Sequence, residues 1–166
     1  MLADTHTGAN RVDELVERLE PHLERADVIL HAGDVTDASV LDALCSFATV
    51  HAVRGNNDHG VVLPDRRIVE LGGCQVAMVH DSGPSSGRAA RLRGWFPDAD
   101  VVVFGHSHLP WHVTDVRTDG HVQHHVNPGS PTQRRQAPRC TVAWLRVGDG
   151  RVVDVTHEPV GPAVVT

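Results

Sequence analysis

Short apolar runs recur along this chain, and most of them end in a glycine or a polar side chain of a type that can bind metal. Val12, Leu15, Val16, Leu19 and Leu23 keep the three-and-four spacing of a helix with one buried face. Pro21 interrupts that pattern and predicts a kink or a stop near Leu19 or Glu20, followed by a restart. Asp27 to Leu30 reads as a short buried strand. Asp37 or Ser39 can cap a helix reaching Phe47, with Val40, Leu41, Leu44 and Phe47 on one face. Thr49 to Val53 reads as the next strand. Only Met1 to Ala3 precede Asp4, fewer than the roughly five or six residues a strand usually needs. Either the first strand is a stub or the natural chain begins upstream of Met1.

Farther along, Arg66 to Leu71 and Cys74 to Val79 flank Gly72-Gly73, a two-residue hairpin signal. Pro84 to Trp95 predicts a helix, and Val101 to Phe104 a buried strand that runs into Gly105. Trp111 to Thr118, His121 to Val126, Thr141 to Val147 and Val152 to His157 then read as strands joined by turns at Asp119-Gly120 and Gly148-Asp149-Gly150. Alternating β and α segments followed by hairpins predict two packed sheets with helices outside them.

The length of 166 residues suits one domain, taken as residues 1–166. Hydrophobic content of 40% and charged content of 22% exclude a disordered chain. No apolar run approaches the ~18 residues of a membrane span, and the first residues carry no signal-peptide pattern, so a cytoplasmic protein is expected. Cys45, Cys74 and Cys140 are widely spaced and odd in number, which argues against a disulfide framework and makes them small buried hydrophobes. The net charge of −6 argues against general affinity for nucleic acid. Arg88, Arg91 and Arg93 are expected on a solvated helix face. Cys140 and the apolar faces of the terminal hairpins are candidate surfaces for a homo-oligomer.

The predicted strand ends carry Asp4, His6, Asp34, Asn56, His80, His106 and His108. In sheets of this class, ligands bind in the crevice beyond the carboxyl ends of the strands. Seven oxygen and nitrogen donors exceed one tetrahedral zinc ion and fit two divalent ions that share a carboxylate. Donors without thiolate suit manganese, placed first, with zinc, nickel or iron as alternatives. Gly105 permits a sharp turn, after which His106 and His108 leave the strand end on one side.

The ordered set Asp4-Thr5-His6, Gly33-Asp34, Gly55-Asn56, His80 and Gly105-His106-Ser107-His108 resembles the signature of the metallophosphoesterase (calcineurin-like) superfamily. The small size, the Asn127-Pro128-Gly129-Ser130 loop and the hairpin-rich end resemble its YfcE-type phosphodiesterase branch. The resemblance implies a four-layer α/β/β/α sandwich with two mixed sheets, two metal ions and hydrolysis of small phosphodiesters. Asp4, His6 and His108 would hold one ion, Asn56, His80 and His106 the other, with Asp34 bridging. Asp34, Asn56 and His80 would be the catalytic residues. Two such cations would clamp the phosphate and lower the pKa of a bridging water, whose hydroxide would attack phosphorus.

The sequence departs from the superfamily pattern in two places beyond its short start. Asn57 stands where a histidine often helps the leaving group, and asparagine cannot act as a general acid. Asp81 follows His80 where glycine is usual, and either adds a carboxylate to the site or turns outward. Asp58 and nearby backbone carbonyls are expected to fix the imidazoles, and His31 to be a packing residue. Phosphate contacts are expected from Asn56, the amides near Gly129 and Ser130, or Arg134 and Arg135, although solvated loop charge is the plainer reading of both arginines. His124 and His125 alternate, so at most one can face the pocket. The competing reading is a metal-binding interaction scaffold, because the retromer subunit built on this fold binds proteins. A complete ligand set favours the enzyme.

Overall fold

The computed structural model describes residues 1–161. Helix α1 (Val12–Leu23) follows a short 3-10 turn, Ala9–Arg11. Then come β1 (Val28–His31), α2 (Ala38–Cys45), β2 (Thr49–Ala52), β3 (Arg66–Leu71), β4 (Cys74–Val79), α3 (Arg88–Trp95) and β5 (Val101–Val103). The strands β6 (Trp111–Val116), β7 (Val122–Asn127), β8 (Thr141–Gly148) and β9 (Arg151–Pro159) complete the order. One mixed sheet has the order β3-β4-β5-β7-β6. The parallel pair β1-β2 and the antiparallel hairpin β8-β9 lie to either side of the first residues. Leu2 bridges to His31, and Met1 exchanges backbone hydrogen bonds with Ala143. Met1 to Ala3, a stub of extended chain, therefore tie the β1-β2 pair to the hairpin.

Three apolar clusters fill the gaps between four layers. Leu15, Leu19 and Leu23 of α1 and Val40 and Leu44 of α2 pack on Ile29. Between the sheets lie Leu30, Val53, Val76, Met78, Val101, Val103 and Val126. Ala77, Val79, Val102 and Phe104 meet Leu92 and Phe96 beside α3. Residues 76 and 78 thus face one way and residues 77 and 79 the other, the period of two that a strand imposes. The structure has the α/β/β/α arrangement expected from the sequence. No helix among the described residues is long and apolar enough to cross a membrane.

Several local expectations need correction. Helix α1 runs unbroken through Pro21, which lies in its last turn, where few ladder bonds remain to be lost while Leu19 and Leu23 stay buried on the same stripe. Helix α3 starts at Arg88, because Pro84 to Gly87 form a loop whose carbonyls accept from the Arg91 guanidinium. The three arginines there are half-buried and engaged: Arg91 also donates to Ser82, Arg93 pairs with Asp115, and Arg88 lies over Phe104 and Trp111. Of the cysteines only Cys74 is buried; Cys45 is exposed and Cys140 half-buried. Asp37 does cap α2, accepting from the Ser39 amide at 3.0 Å.

Leu19 is fully buried between α1 and the β1-β2 pair. Leu19→Ala is expected to cost about 3 kcal/mol of stability through lost burial and a residual cavity, read by urea denaturation.

Candidate metal centre

The carboxyl ends of β1, β2, β4 and β5, with the segment after the stub, meet in one crevice. The backbone sews them together: the Asp4 amide donates to Gly33 at 2.9 Å and the His6 amide to Asp34 at 3.1 Å. Asp4 and His6 therefore reach the site although only three residues precede them. Close approach of these strand ends requires glycine twice. A Cβ on Gly55 would lie 2.2 Å from the Asp34 carboxylate, and one on Gly105 would lie 2.9 Å from Asp4 Oδ2 and from the Ala3 methyl.

Gly105 does not make the turn that was expected of it. Five of the seven residues that face the crevice take the left-handed conformation themselves, with φ of 55° at Asp4, 42° at His6, 56° at Asp34, 69° at His106 and 59° at His108. Each alternates with an ordinary residue, so two side chains two positions apart project into the crevice from one strand end. Such conformations cost on the order of 1 kcal/mol or more each and cluster where surrounding structure over-determines them. That structure is visible: Ser130 Oγ donates to the Asp4 carbonyl at 2.7 Å, Thr132 Oγ1 to the Thr5 carbonyl at 2.7 Å, and Arg135 to the His106 carbonyl at 3.0 Å.

The seven predicted donors fall into two groups around one carboxylate. His108 Nε2 lies 3.4 Å and His6 Nε2 3.9 Å from Asp4 Oδ1. On the other side, Asn56 Oδ1 lies 3.0 Å from His80 Nε2 and 2.9 Å from His106 Nδ1. Asp34 Oδ2 stands between the groups, 3.3 Å from His6 Nε2 and 3.5 Å from His80 Nε2. His80 Nδ1 donates to the Ala32 carbonyl at 2.8 Å and His108 Nδ1 to the Gln133 carbonyl at 2.7 Å, which turns the Nε2 lone pair of each ring inward. Asp4 Oδ2, His6 Nε2 and His108 Nε2 are buried without hydrogen-bond partners. Unpartnered acceptors that converge in this way fit divalent cations, and the clusters Asp4-His6-His108 and Asp4-Asp34-His80 have the necessary spacing.

Charge states follow from the surroundings. Burial pushes the Asp4 carboxyl up to about 7, and its like charge with Asp34 adds to that. Burial would raise Asp34 as well, but the nearby imidazoles of His6 and His80 and two hydrogen bonds from Asn57 outweigh it and hold this carboxylate well below the usual range. Burial pushes His108 down to about 4, so its ring is neutral. His31, also pushed down to about 4 by burial, packs with Thr5 at 3.1 Å and is no ligand.

Several supporting residues act otherwise than the sequence suggested. Asp58 holds no imidazole; it accepts from the amides of Asp34, Thr36 and Gly55 at 3.1, 2.7 and 2.7 Å. Asn57 holds Asp34 twice, with its amide at 2.8 Å from Oδ1 and its Nδ2 at 2.7 Å from Oδ2. Asn56-Asn57-Asp58 thus does more than turn the chain, which only the glycine before it hinted at. Asp81 turns outward and accepts from the Gly83 amide. The Gly129 amide donates to Asn127 Oδ1, so it is not free for phosphate. His124 and His125 face opposite sides of the sheet, as alternation requires, and bond to His112 and Gln123, not to the crevice.

Residues 1–150 match the family model described as the calcineurin-like phosphoesterase superfamily domain. A probable metallophosphoesterase of Methanocaldococcus jannaschii is 36% identical over 143 residues, covering 84% of this chain and 69% of its own. The structure of Chaetomium thermophilum Vps29 superposes with a TM-score of 0.70 at 21% identity, covering 99% of this chain and 97% of that one. YfcE, a phosphoesterase from E. coli, superposes with a TM-score of 0.59 at 21% identity, covering 93% and 96%. At these identities the two structures show likeness of fold alone.

Two predictions follow from the charge states and from Asn57. Below about pH 7 a metal ion must displace a proton from Asp4, so affinity is expected to rise about tenfold per pH unit up to that point and level off above it, measured by calorimetry at several pH values. Asn57→Ala removes the side-chain bond to Asp34 Oδ2 and is expected to weaken metal binding by roughly tenfold or more at unchanged fold, read by the same titration with circular dichroism as control.

Proposed function

Because the chain belongs to the calcineurin-like phosphoesterase superfamily, we propose that it is a binuclear metal-dependent phosphodiesterase for small phosphodiesters, with Asp34, Asn56 and His80 carrying the chemistry. The observation that supports this most is the position of Asp34 Oδ2, within 3.5 Å of one imidazole from each of the two donor groups. Asp4, His6 and His108 would hold one ion and Asn56, His80 and His106 the other, with Asp34 common to both. Two divalent cations, manganese first and zinc, nickel or iron as alternatives, supply Lewis-acid stabilisation of charge on the phosphate and acidify water.

The chain's own residues position these ions and the substrate. Carbonyls of Ala32 and Gln133 fix the tautomers of His80 and His108. Asn57 and Asp58 hold Asp34 and the strand end that carries it. The exposed Arg135 guanidinium is anchored on the His106 carbonyl at the rim, where it can meet a phosphate oxygen with a charge-assisted bond. The Asn57 amide is committed to Asp34 and has no acidic proton to give the departing oxygen. Phosphodiesters with good leaving groups, such as aryl esters, are therefore the favoured substrates. The acidic net charge of −6 fits a small substrate better than duplex nucleic acid. A metal-binding interaction scaffold is the competing reading, and the likeness of fold to Vps29 is what favours it.

The deciding experiment is hydrolysis of an aryl phosphodiester beside the matching monoester, with metal-stripped protein and manganese, nickel, zinc or magnesium restored. Metal-dependent diesterase activity is expected, with a loss on the order of a hundredfold or more in His108→Ala. Arg135→Ala is expected to raise KM roughly tenfold and, because its guanidinium also holds the His106 carbonyl, to lower kcat as well. Two bound ions without turnover would favour the scaffold, and no metal binding would overturn both readings.

A further inference from the structure

Two features at the mouth of the crevice bear on which group leaves the phosphorus. The first is the want of a proton. Asn57 is committed to Asp34 through its backbone amide at 2.8 Å and its Nδ2 at 2.7 Å, and an amide has no acidic hydrogen to give. His59, the next imidazole along the chain, lines a separate depression with Arg54, Val61, Val62 and Leu63. His6, His80, His106 and His108 are the proposed ligands, and the Arg135 guanidinium keeps its proton at any working pH. A leaving oxygen therefore departs as an anion, unaided by these side chains.

The second feature is a fixed cation. The segment Ser130 to Arg139 holds three arginines and no acidic residue, in a chain of net charge −6. It is pinned to the ligand segments on both sides. Ser130 Oγ accepts from the Gln133 amide at 2.9 Å and donates to the Asp4 carbonyl at 2.7 Å, while the Gln133 carbonyl accepts from His108 Nδ1 at 2.7 Å. Two residues on, Arg135 takes φ of 45°, a left-handed value uncommon for a residue other than glycine, and uses one N–H on the His106 carbonyl at 3.0 Å. Its side chain is exposed, which leaves the other N–H groups of the planar fork open to an anion beside a candidate ligand.

Together these features select a leaving group. An alkoxide is the base of an acid as weak as water, with a pKa of about 15.7, and a phenoxide of one near 10. A phosphate monoester has a second pKa of about 6 and leaves without a proton at neutral pH. It also carries two negative charges where an aryloxide carries one, and its oxygens match the arginine fork in pairs.

We propose that the natural substrates are disubstituted diphosphates, two phosphate esters joined through an anhydride oxygen, and that Arg135 determines this specificity by receiving the departing phosphate. The inference rests on the binuclear phosphodiesterase reading and narrows it. Water adds to one phosphorus, the bond from that phosphorus to the bridging oxygen breaks, and the oxygen keeps the electron pair as part of the second phosphate monoester. Both protons of the water pass to solvent as the two products ionise.

The test compares symmetrical diphenyl diphosphate with bis-nitrophenyl phosphate, diphenyl phosphate and dimethyl phosphate on metal-restored protein. For the diphosphate, kcat/KM is expected to exceed that for diphenyl phosphate by on the order of a hundredfold, with dimethyl phosphate slower still. Arg135→Gln is expected to lower the ratio of diphosphate to nitrophenyl turnover about tenfold, and Arg135→Lys to restore most of it. Calorimetry with the diphenyl ester of methylenebisphosphonate, whose carbon bridge resists hydrolysis, reads the same contact without turnover. Arg135→Gln is expected to weaken that binding about tenfold, and more than it weakens phenyl methylphosphonate, which has no second phosphorus. Turnover of the nitrophenyl diester without the diphosphate, a diphosphate no better than diphenyl phosphate, or a ratio unchanged in Arg135→Gln would overturn the inference and leave the phosphodiesterase reading standing. Dimethyl phosphate cleaved as fast as the diphosphate would reveal a proton donor and overturn it too. No turnover of any of the four esters by protein with both ions bound would overturn both readings together.

Discussion

The crevice depends on one electrostatic constraint: more electron-pair donors converge in it than there are proton donors to separate them. Asp4 Oδ2, His6 Nε2 and His108 Nε2 are buried and unpartnered. On the far side, His80 Nε2 and His106 Nδ1 both point at the single oxygen of Asn56. A buried acceptor without a partner costs about 1 to 3 kcal/mol, so a fold would not collect several of them without compensation. Protons supply part of it, which is why burial drives Asp4 up to about 7 while Asp34, supplied with donors, stays ionised. Divalent cations would relieve the remainder and replace those protons.

The same constraint explains the backbone. Bringing four strand ends and the stub segment within reach of one another needs side chains two residues apart to leave the same strand end, and left-handed residues accomplish that turn. Thr36 belongs to the same set at φ 73°, an unfavourable value for a β-branched residue, and it is held by Asp58 through its amide and by Thr7 through its hydroxyl. Asp58 thereby links the strain after β1 to the loop after β2, because the carboxylate oxygen that accepts from Asp34 also accepts from Gly55. Strain here is distributed over hydrogen bonds that end near the candidate ligands.

How much of this the sequence discloses depends on the range of the interaction. Strand and hairpin positions were legible because apolar alternation and glycine pairs are local signals: Arg66–Leu71 and Cys74–Val79 around Gly72-Gly73 fold as the pattern suggests. The donor residues were legible because each closes an apolar run. Helix α1 was misread because Pro21 is judged from its own neighbourhood, whereas Leu19 and Leu23 are held by tertiary burial. The left-handed histidines were invisible, since Gly105 seemed sufficient to turn the chain. The requirement at Gly105 comes from Ala3 and Asp4, about a hundred positions away in the sequence. Contacts between distant segments leave no periodicity to detect.

Asn57 shows how a departure from a familiar pattern gains meaning only in three dimensions. From sequence it is a missing proton donor, a loss of function at one position. In the structure its amide and its side chain grip both oxygens of Asp34, the one carboxylate that stands between the two donor groups. The side-chain half of that grip occupies the Asn57 amide nitrogen, which therefore faces Asp34 and not a leaving group. On the proposed mechanism, a residue that gives no proton to the leaving group instead fixes the carboxylate proposed to be common to both ions. In the proposed phosphodiesterase, that hold would favour substrates whose leaving oxygen needs no proton.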